Sequence, residues 1–303
     1  MMTRHIVTAP QPLQSRTNRD LAADNIMNGT LNLPATSQAR PHLLAAFGAI
    51  LVSFSLLCVP SPASPGAVQD LTIAQVLARV YTARGGLVRL RALQGQRVTG
   101  TISFGNDASG PFFVEFRRPM KMHMELTVQN QTVVRIFDGK EGWANHPFAG
   151  KPNPEPMSEE DLKNINEEAD FEGPLVDYRK KGNKLELVGK DKLEDKDIWR
   201  VKLTTKTGDV RYYLFDATTF LLLKWEGKRQ VQGKDMPMQS YYREYREVGG
   251  LKFAFAIDSG NSATDLTQKI IIEKIELNPQ LPESDFAKPA APGELPVQTS
   301  PSR

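Results

Sequence analysis

Between positions 120 and 128 apolar and polar side chains alternate without a break. Met120, Met122, Met124, Leu126 and Val128 fall on one side, and Lys121, His123, Glu125 and Thr127 on the other. A period of two belongs to a strand with one buried and one wet face. Gln129, Asn130 and Gln131 make a polar turn, and residues 132–137 return as a β-branched strand. Asp138-Gly139 is a tight-turn pair that leads into Gly142-Trp143. The stretch predicts a hairpin and the start of a third strand. Its apolar face is rich in methionine, a flexible and polarisable side chain that suits either an adaptable binding surface or a β core.

The pattern elsewhere extends this picture. Ile73, Val76, Leu77 and Val80 form a helical stripe, with Asp70 or Thr72 available as N-cap and Gly85-Gly86 as the stop. Residues 87–93 predict a second short helix. From Val98 the signal is β, with strands over 98–104 and 111–118, then the central hairpin. Residues 146–156 are rich in proline and glycine and predict an irregular loop. Ser158 with Asp161 resembles a capping box for a helix to about Ala169, whose acids suit a solvated face. Further strands follow over 184–189, 198–206, 209–216, 220–231, 238–247, 251–259 and 266–277. About eleven strands at near-regular spacing predict a curved antiparallel sheet or barrel, mainly β, with the helices as cover.

Composition then divides the 303 residues. Residues 1–42 are polar and without periodicity, and predict a disordered or untranslated extension. Residues 43–66 hold an apolar run, 43–59, flanked by Arg40 and by the Pro/Ser/Ala stretch that follows. This predicts an export signal, or else an uncleaved inner-membrane anchor. Met27 is an alternative start that would shorten the flank. The β domain covers 67–289, and 290–303 is a loose Pro-rich tail. The single cysteine, Cys58, lies inside the apolar run, and Ser55-Leu56-Leu57 before it lack the small residue that lipidation needs. Low cysteine content fits an exported protein. The net charge is +3, and much of it sits in the first 42 residues, with Arg4, Arg16, Arg19 and Arg40 against Asp20 and Asp24. A nearly neutral β domain argues against nucleic acid as a partner.

No catalytic constellation emerges. His123 and His146 lack ligand spacing for zinc, and neither a nucleophile elbow nor a phosphate-cradling glycine loop is present. The acids between 159 and 170 read as a solvated helix face, and Asp138-Gly139 as turn chemistry. Tyr241, Tyr242 and Tyr245 with Arg243 and Arg246 read as cross-strand pairs. No enzyme, metal or cofactor is expected. Phe112, Val114, Phe116, Met120, Met122, Met124, Phe137 and Trp143 are the expected lining of an apolar cavity, or equally of a packed core.

Several segments carry a resemblance. They are ARGGLVRLRALQGQRVTGTI (83–102), FRRPMKMHMEL (116–126), FDGKEGWANHPFAG (137–150), GPLVDYRKKGNKLELVGK (173–190), YYLFDATTFLLLKWE (212–226), YREYREVGGLKFAF (242–255) and IELNPQLPESDFAKP (275–289). Together the chain resembles the outer-membrane lipoprotein-sorting superfamily, the group of the LolA and LolB carriers and the regulator RseB/MucB. It looks closer to a periplasmic branch of that group than to the carriers. The resemblance implies an unclosed β-barrel of about eleven strands with a helical lid over an apolar cavity. It implies periplasmic, non-enzymatic binding or transfer of a lipid or an acylated protein. The alternative is a regulatory or scaffold module that senses envelope lipids or lipoproteins and contacts a membrane protein. The carriers' ligand-handling arginine has no secure counterpart, since Arg117 and Arg118 are only near the expected strand.

Overall fold

A computed structural model describes residues 71–289, apart from 106–107, 232–233 and 262–265. The flanking segments read above as extension, export signal and tail lie outside the described residues. Two antiparallel meanders make one sheet. The first runs β1 (Gly95–Phe104), β2 (Ala108–Arg117), β3 (Lys121–Val128), β4 (Gln131–Phe137), β5 (Gly142–His146) and β6 (Lys151–Pro156). The second runs β7 (Lys184–Leu193), β8 (Lys196–Thr204), β9 (Val210–Asp216), β10 (Leu222–Val231), β11 (Lys234–Val248), β12 (Leu251–Gly260) and β13 (Gln268–Leu277). β1 pairs with β13 and joins the two halves. The order is β6-β5-β4-β3-β2-β1-β13-β12-β11-β10-β9-β8-β7, so β6 and β7 are open edges and the barrel does not close.

The expected open, mainly β architecture holds, with thirteen strands among the described residues rather than about eleven. The unforeseen strand is β6. Pro152, Pro154 and Pro156 cannot donate to a ladder, which restricts such a segment to an edge. Asn145 supplies part of what the prolines cannot. Its buried side chain donates to the carbonyls of Thr132 and Pro152 and accepts from the Val134 amide at 2.7 Å. The central hairpin turns at Gln129 and Asn130, both at positive φ, as a two-residue primed turn requires. Met120 has φ 66 and precedes β3 rather than belonging to it.

Two helical pieces cover the concave face. α1 (Ile73–Ala83) is capped by Thr72 with Gln75 in a reciprocal capping box. It ends in a Schellman motif, with Gly85 and Gly86 amides donating to Thr82 and Tyr81 carbonyls. Val76 and Val80 pack against Trp199, Val201, Leu203 and Phe215 on the second meander. Burying each such side chain contributes roughly 1.5–3 kcal/mol. α2 (Leu87–Ala92) follows and seats Leu90 against Leu251.

α3 (Glu159–Glu168) lies in the connection from β6 to β7. That connection must travel from one sheet edge to the other, so it passes over the concave face. Ile165 and Ala169 bury themselves on Met122 and Phe137, with Leu162 alongside. The acids of its last turn, expected on a solvated face, are instead half-buried and ion-paired. Glu168 meets Arg135 of β4 at 2.7 Å, Glu167 meets Arg211 of β9, and Lys163 meets Asp209 at 3.0 Å. α3 is thus held to both meanders of the sheet. At its start, Ser158 accepts from the Asp161 amide and donates to the Asp161 carboxylate, so only one half of the expected box forms. Among the described residues no helix is long and apolar enough to cross a membrane.

Candidate functional site

Between the area covered by α1 and the area covered by α3, the concave face stays open as a cavity of about 510 Å³. This lies within the range of roughly 300–1,000 Å³ for small-molecule sites. Val98, Ile272, Ile275, Phe253 and Ile257 form its floor across β1, β13 and β12. Tyr213, Phe215, Leu222, Trp225, Tyr242 and Tyr245 form a wall. Val80, Tyr81 and Arg84 of the first helical piece and Phe171 to Leu175 of the β6–β7 connection complete it.

Departures from strict pairing build this lining. In β13 the register shifts between Thr99 and Gly100, leaving Glu273 without a partner. Ile272 and Ile275, three apart, then share a face. In β10 a shift after Leu222 does the same for Leu222 and Trp225. In β11 the pairing is interrupted at Glu244, which takes φ 53, and Tyr242 and Tyr245 on either side both line the cavity. Bulges of this kind also bend a strand and raise its twist. A Cβ at Gly100 would come within 2.1 Å of the Ile271 carbonyl, so the β13 bulge needs glycine opposite it.

None of the eight residues expected to line a cavity, or equally a packed core, lines this one. Their patch begins one strand away, because Val114 is paired with the lining residue Val98. Met122 and Phe137 lie under α3, together with Val114, Phe116, Met120 and Met124. Phe116 reaches the cavity's edge through Phe171, with ring centroids 5.9 Å apart. Phe112 sits in the neighbouring cluster with Val98 and Leu126. Trp143 is on the opposite face, since the Asp138-Gly139 turn pairs Phe137 with Gly142 and Ile136 with Trp143. Asp138 accepts from the Lys140 and Glu141 amides at 2.7 Å, as turn chemistry predicts.

Alternation revealed which residues share a face but not which strands the helices would cover. The missed residues lie where pairing departs from the period of two, and the strand glycine Gly100 was the available signal.

Of the other sequence candidates, Tyr242, Tyr245, Glu167 and Glu168 line the cavity, while His123, Arg118 and Tyr241 do not. His123 is on the sheet's other face, its Nε2 3.2 Å from Glu125, with Phe113 edge-on at 5.1 Å. Arg118 donates to the Leu93 carbonyl and pairs with Glu172 at 2.6 Å, tying the β6–β7 connection to β2. Tyr241 stacks with Lys224 and Arg243, as cross-strand pairing implied.

Burial governs the wall's electrostatics. It raises the Tyr213 hydroxyl to about 12 and pushes Tyr242 and Tyr245 up as well. Burial alone would lower Arg211, but the Glu167 carboxylate outweighs it and raises the guanidinium. An unfolded tyrosine ionises near pH ~10. The unfolded chain therefore loses these protons first, and native stability falls as pH rises above that value. Alkaline titration is expected to show these hydroxyls ionising only with unfolding. A folded protein whose tyrosines all titrate together near pH ~10 would contradict the buried wall.

No family model matches the chain, and no curated protein matches it. Among solved structures, a LolA superfamily protein from Nitrosomonas europaea is 15% identical, with a TM-score of 0.48 over 72% of this chain and 98% of that one. A domain named for outer membrane lipoprotein sorting, from Vibrio parahaemolyticus, is 9% identical, with a TM-score of 0.47 over 70% of this chain and 94% of that one. MucB of Pseudomonas aeruginosa, solved with MucA, is 11% identical, with a TM-score of 0.20 over 66% of this chain and 91% of that one.

Proposed function

We propose that this chain is a non-enzymatic periplasmic binder, or transfer protein, for a lipid or an acylated protein. The observation that carries the reading is the mainly apolar cavity of about 510 Å³ between the two helical covers. Each methylene moved from water into such a site contributes about 0.8 kcal/mol, so an acyl chain needs no catalytic group to be held. A chain longer than the cavity would continue under α3 onto Met122, Met124 and Phe137. The ion pairs of α3 with Arg135 and Arg211 would then act as releasable latches. Transfer would require a partner that offers a better apolar site.

The test is native mass spectrometry with lipid extraction, on the full chain exported in a bacterium and purified without detergent. A co-purified acyl-bearing species at near-unit occupancy is the expected result. A folded protein that stays empty and takes up no added fatty acid or phospholipid would overturn the reading. It would favour a module that acts through the sheet's outer face.

A further inference from the structure

The cavity's charges do not balance against one another. Three carboxylates border it, and each is engaged by an arginine: Glu167 by Arg211, Glu168 by Arg135 at 2.7 Å and Glu172 by Arg118 at 2.6 Å. Arg84 has no such partner among the described residues. Its guanidinium donates one hydrogen bond, at 3.3 Å, to the Glu172 backbone carbonyl. A guanidinium has five N–H donors and stays cationic in proteins. The Glu172 carboxylate also acts on Arg84, but it is already paired with Arg118, and the neighbouring Tyr81, Tyr242 and Tyr245 carry neutral hydroxyls. Lys252 also borders the cavity and also lacks a carboxylate partner among the described residues. Its backbone amide donates to the Arg84 carbonyl at 3.0 Å, so the two residues leave neighbouring points of the backbone at the cavity's border. Burial lowers the Arg84 guanidinium from its ordinary pKa, and the nearby tyrosines and the Glu172 carboxylate offset only part of that.

We propose that Arg84, with Lys252 beside it, anchors the carboxylate or phosphate head of an anionic acyl amphiphile whose chain lies on the Ile257–Ile272–Ile275 floor. The assignment rests on the acyl-cavity reading above and adds the head group to it. A planar guanidinium holds carboxylate or phosphate oxygens through two parallel hydrogen bonds. Placing that pair at the edge of an apolar trough selects for a molecule with one charged end.

The experiment titrates the full chain with laurate, with dodecanol and with inorganic phosphate, read by displacement of the neutral probe N-phenyl-1-naphthylamine. Wild type, Arg84→Gln, Arg84→Lys and Lys252→Gln are compared, each checked for an unchanged thermal midpoint. Laurate is expected to bind at least about tenfold more tightly than dodecanol, equivalent to about 1.4 kcal/mol. Arg84→Gln should remove that advantage while leaving dodecanol within about twofold, and Arg84→Lys should keep part of it. The exposed Lys252 allows a second variant that does not disturb the helix end, and Lys252→Gln should give a smaller loss in the same direction.

Equal binding of laurate and dodecanol in every variant would overturn the anchor while leaving the acyl cavity standing. Binding of neither would overturn the cavity reading itself. Displacement of the probe by inorganic phosphate at laurate's concentrations would assign Arg84 to a free anion rather than to an amphiphile.

Discussion

Replacing Gly85 by alanine is expected to cost on the order of 3–5 kcal/mol and to open the cavity beside Arg84. Gly85 has φ +105, outside the comfortable range of any L-residue, and stands just past the end of α1. A Cβ there would lie 2.0 Å from the Gly250 carbonyl oxygen and 2.9 Å from the Leu251 Cα. Both are backbone atoms, which cannot swing aside as a flexible side chain can. Relief requires moving the α1–α2 elbow away from the β11–β12 hairpin. That elbow is also held by the Lys252 amide on the Arg84 carbonyl and by Leu90 against Leu251. Gly86 is the control. It has φ +99, but nothing lies within 4 Å of its would-be Cβ. Gly86→Ala should therefore cost only the conformational part, about 1–3 kcal/mol, for its φ 99 and ψ 141. Guanidinium unfolding of both variants separates the two contributions. Equal midpoints would mean that the close approach to Gly250 does not limit stability.

Ile257→Glu should lower laurate affinity on the order of 100-fold, about 2.7 kcal/mol, in a protein that still folds. Ile257 is half-buried, in register with Tyr242 and Ile270, and its side chain is part of the cavity floor. A glutamate there must either desolvate its charge against the ligand or take up a proton, and both outcomes oppose binding. It also repels an anionic head held nearby by Arg84. Met124→Glu, under α3, is the companion measurement. It should spare laurate, which fits the cavity, and weaken binding of the longer stearate. Loss of laurate binding at both positions would extend the primary site beneath α3. Loss at neither would remove the concave face from ligand binding.

These expectations show where local pattern is informative and where it is silent. The alternation from Lys121 to Val128 correctly places Met122 and Leu126 in the interior, because side-chain direction in a strand follows from the backbone itself. The helix stop at Gly85-Gly86 and the turn at Asp138-Gly139 are equally legible, since few residues tolerate the conformations required. Pro152, Pro154 and Pro156 instead obscured β6, because a buried asparagine contributes what the prolines withhold. The acids at the end of α3 read as solvated because their arginine partners, Arg135 and Arg211, are distant in the chain and lie on opposite halves of the sheet.

By itself, then, the sequence determined an antiparallel, mainly β domain with helices at its start and middle, and its short-range turns and caps. Those features follow from the period of side-chain direction and from local backbone preference, and both act within a few residues. The tertiary structure decided where the cavity lies. The β6–β7 connection crosses the whole sheet and seats α3 on the methionine face, leaving the opening over β1, β13 and β12. Register shifts then aim Ile272 with Ile275, and Leu222 with Trp225, into it. Register belongs to a pair of strands rather than to either one, so no single stretch of the chain encodes it.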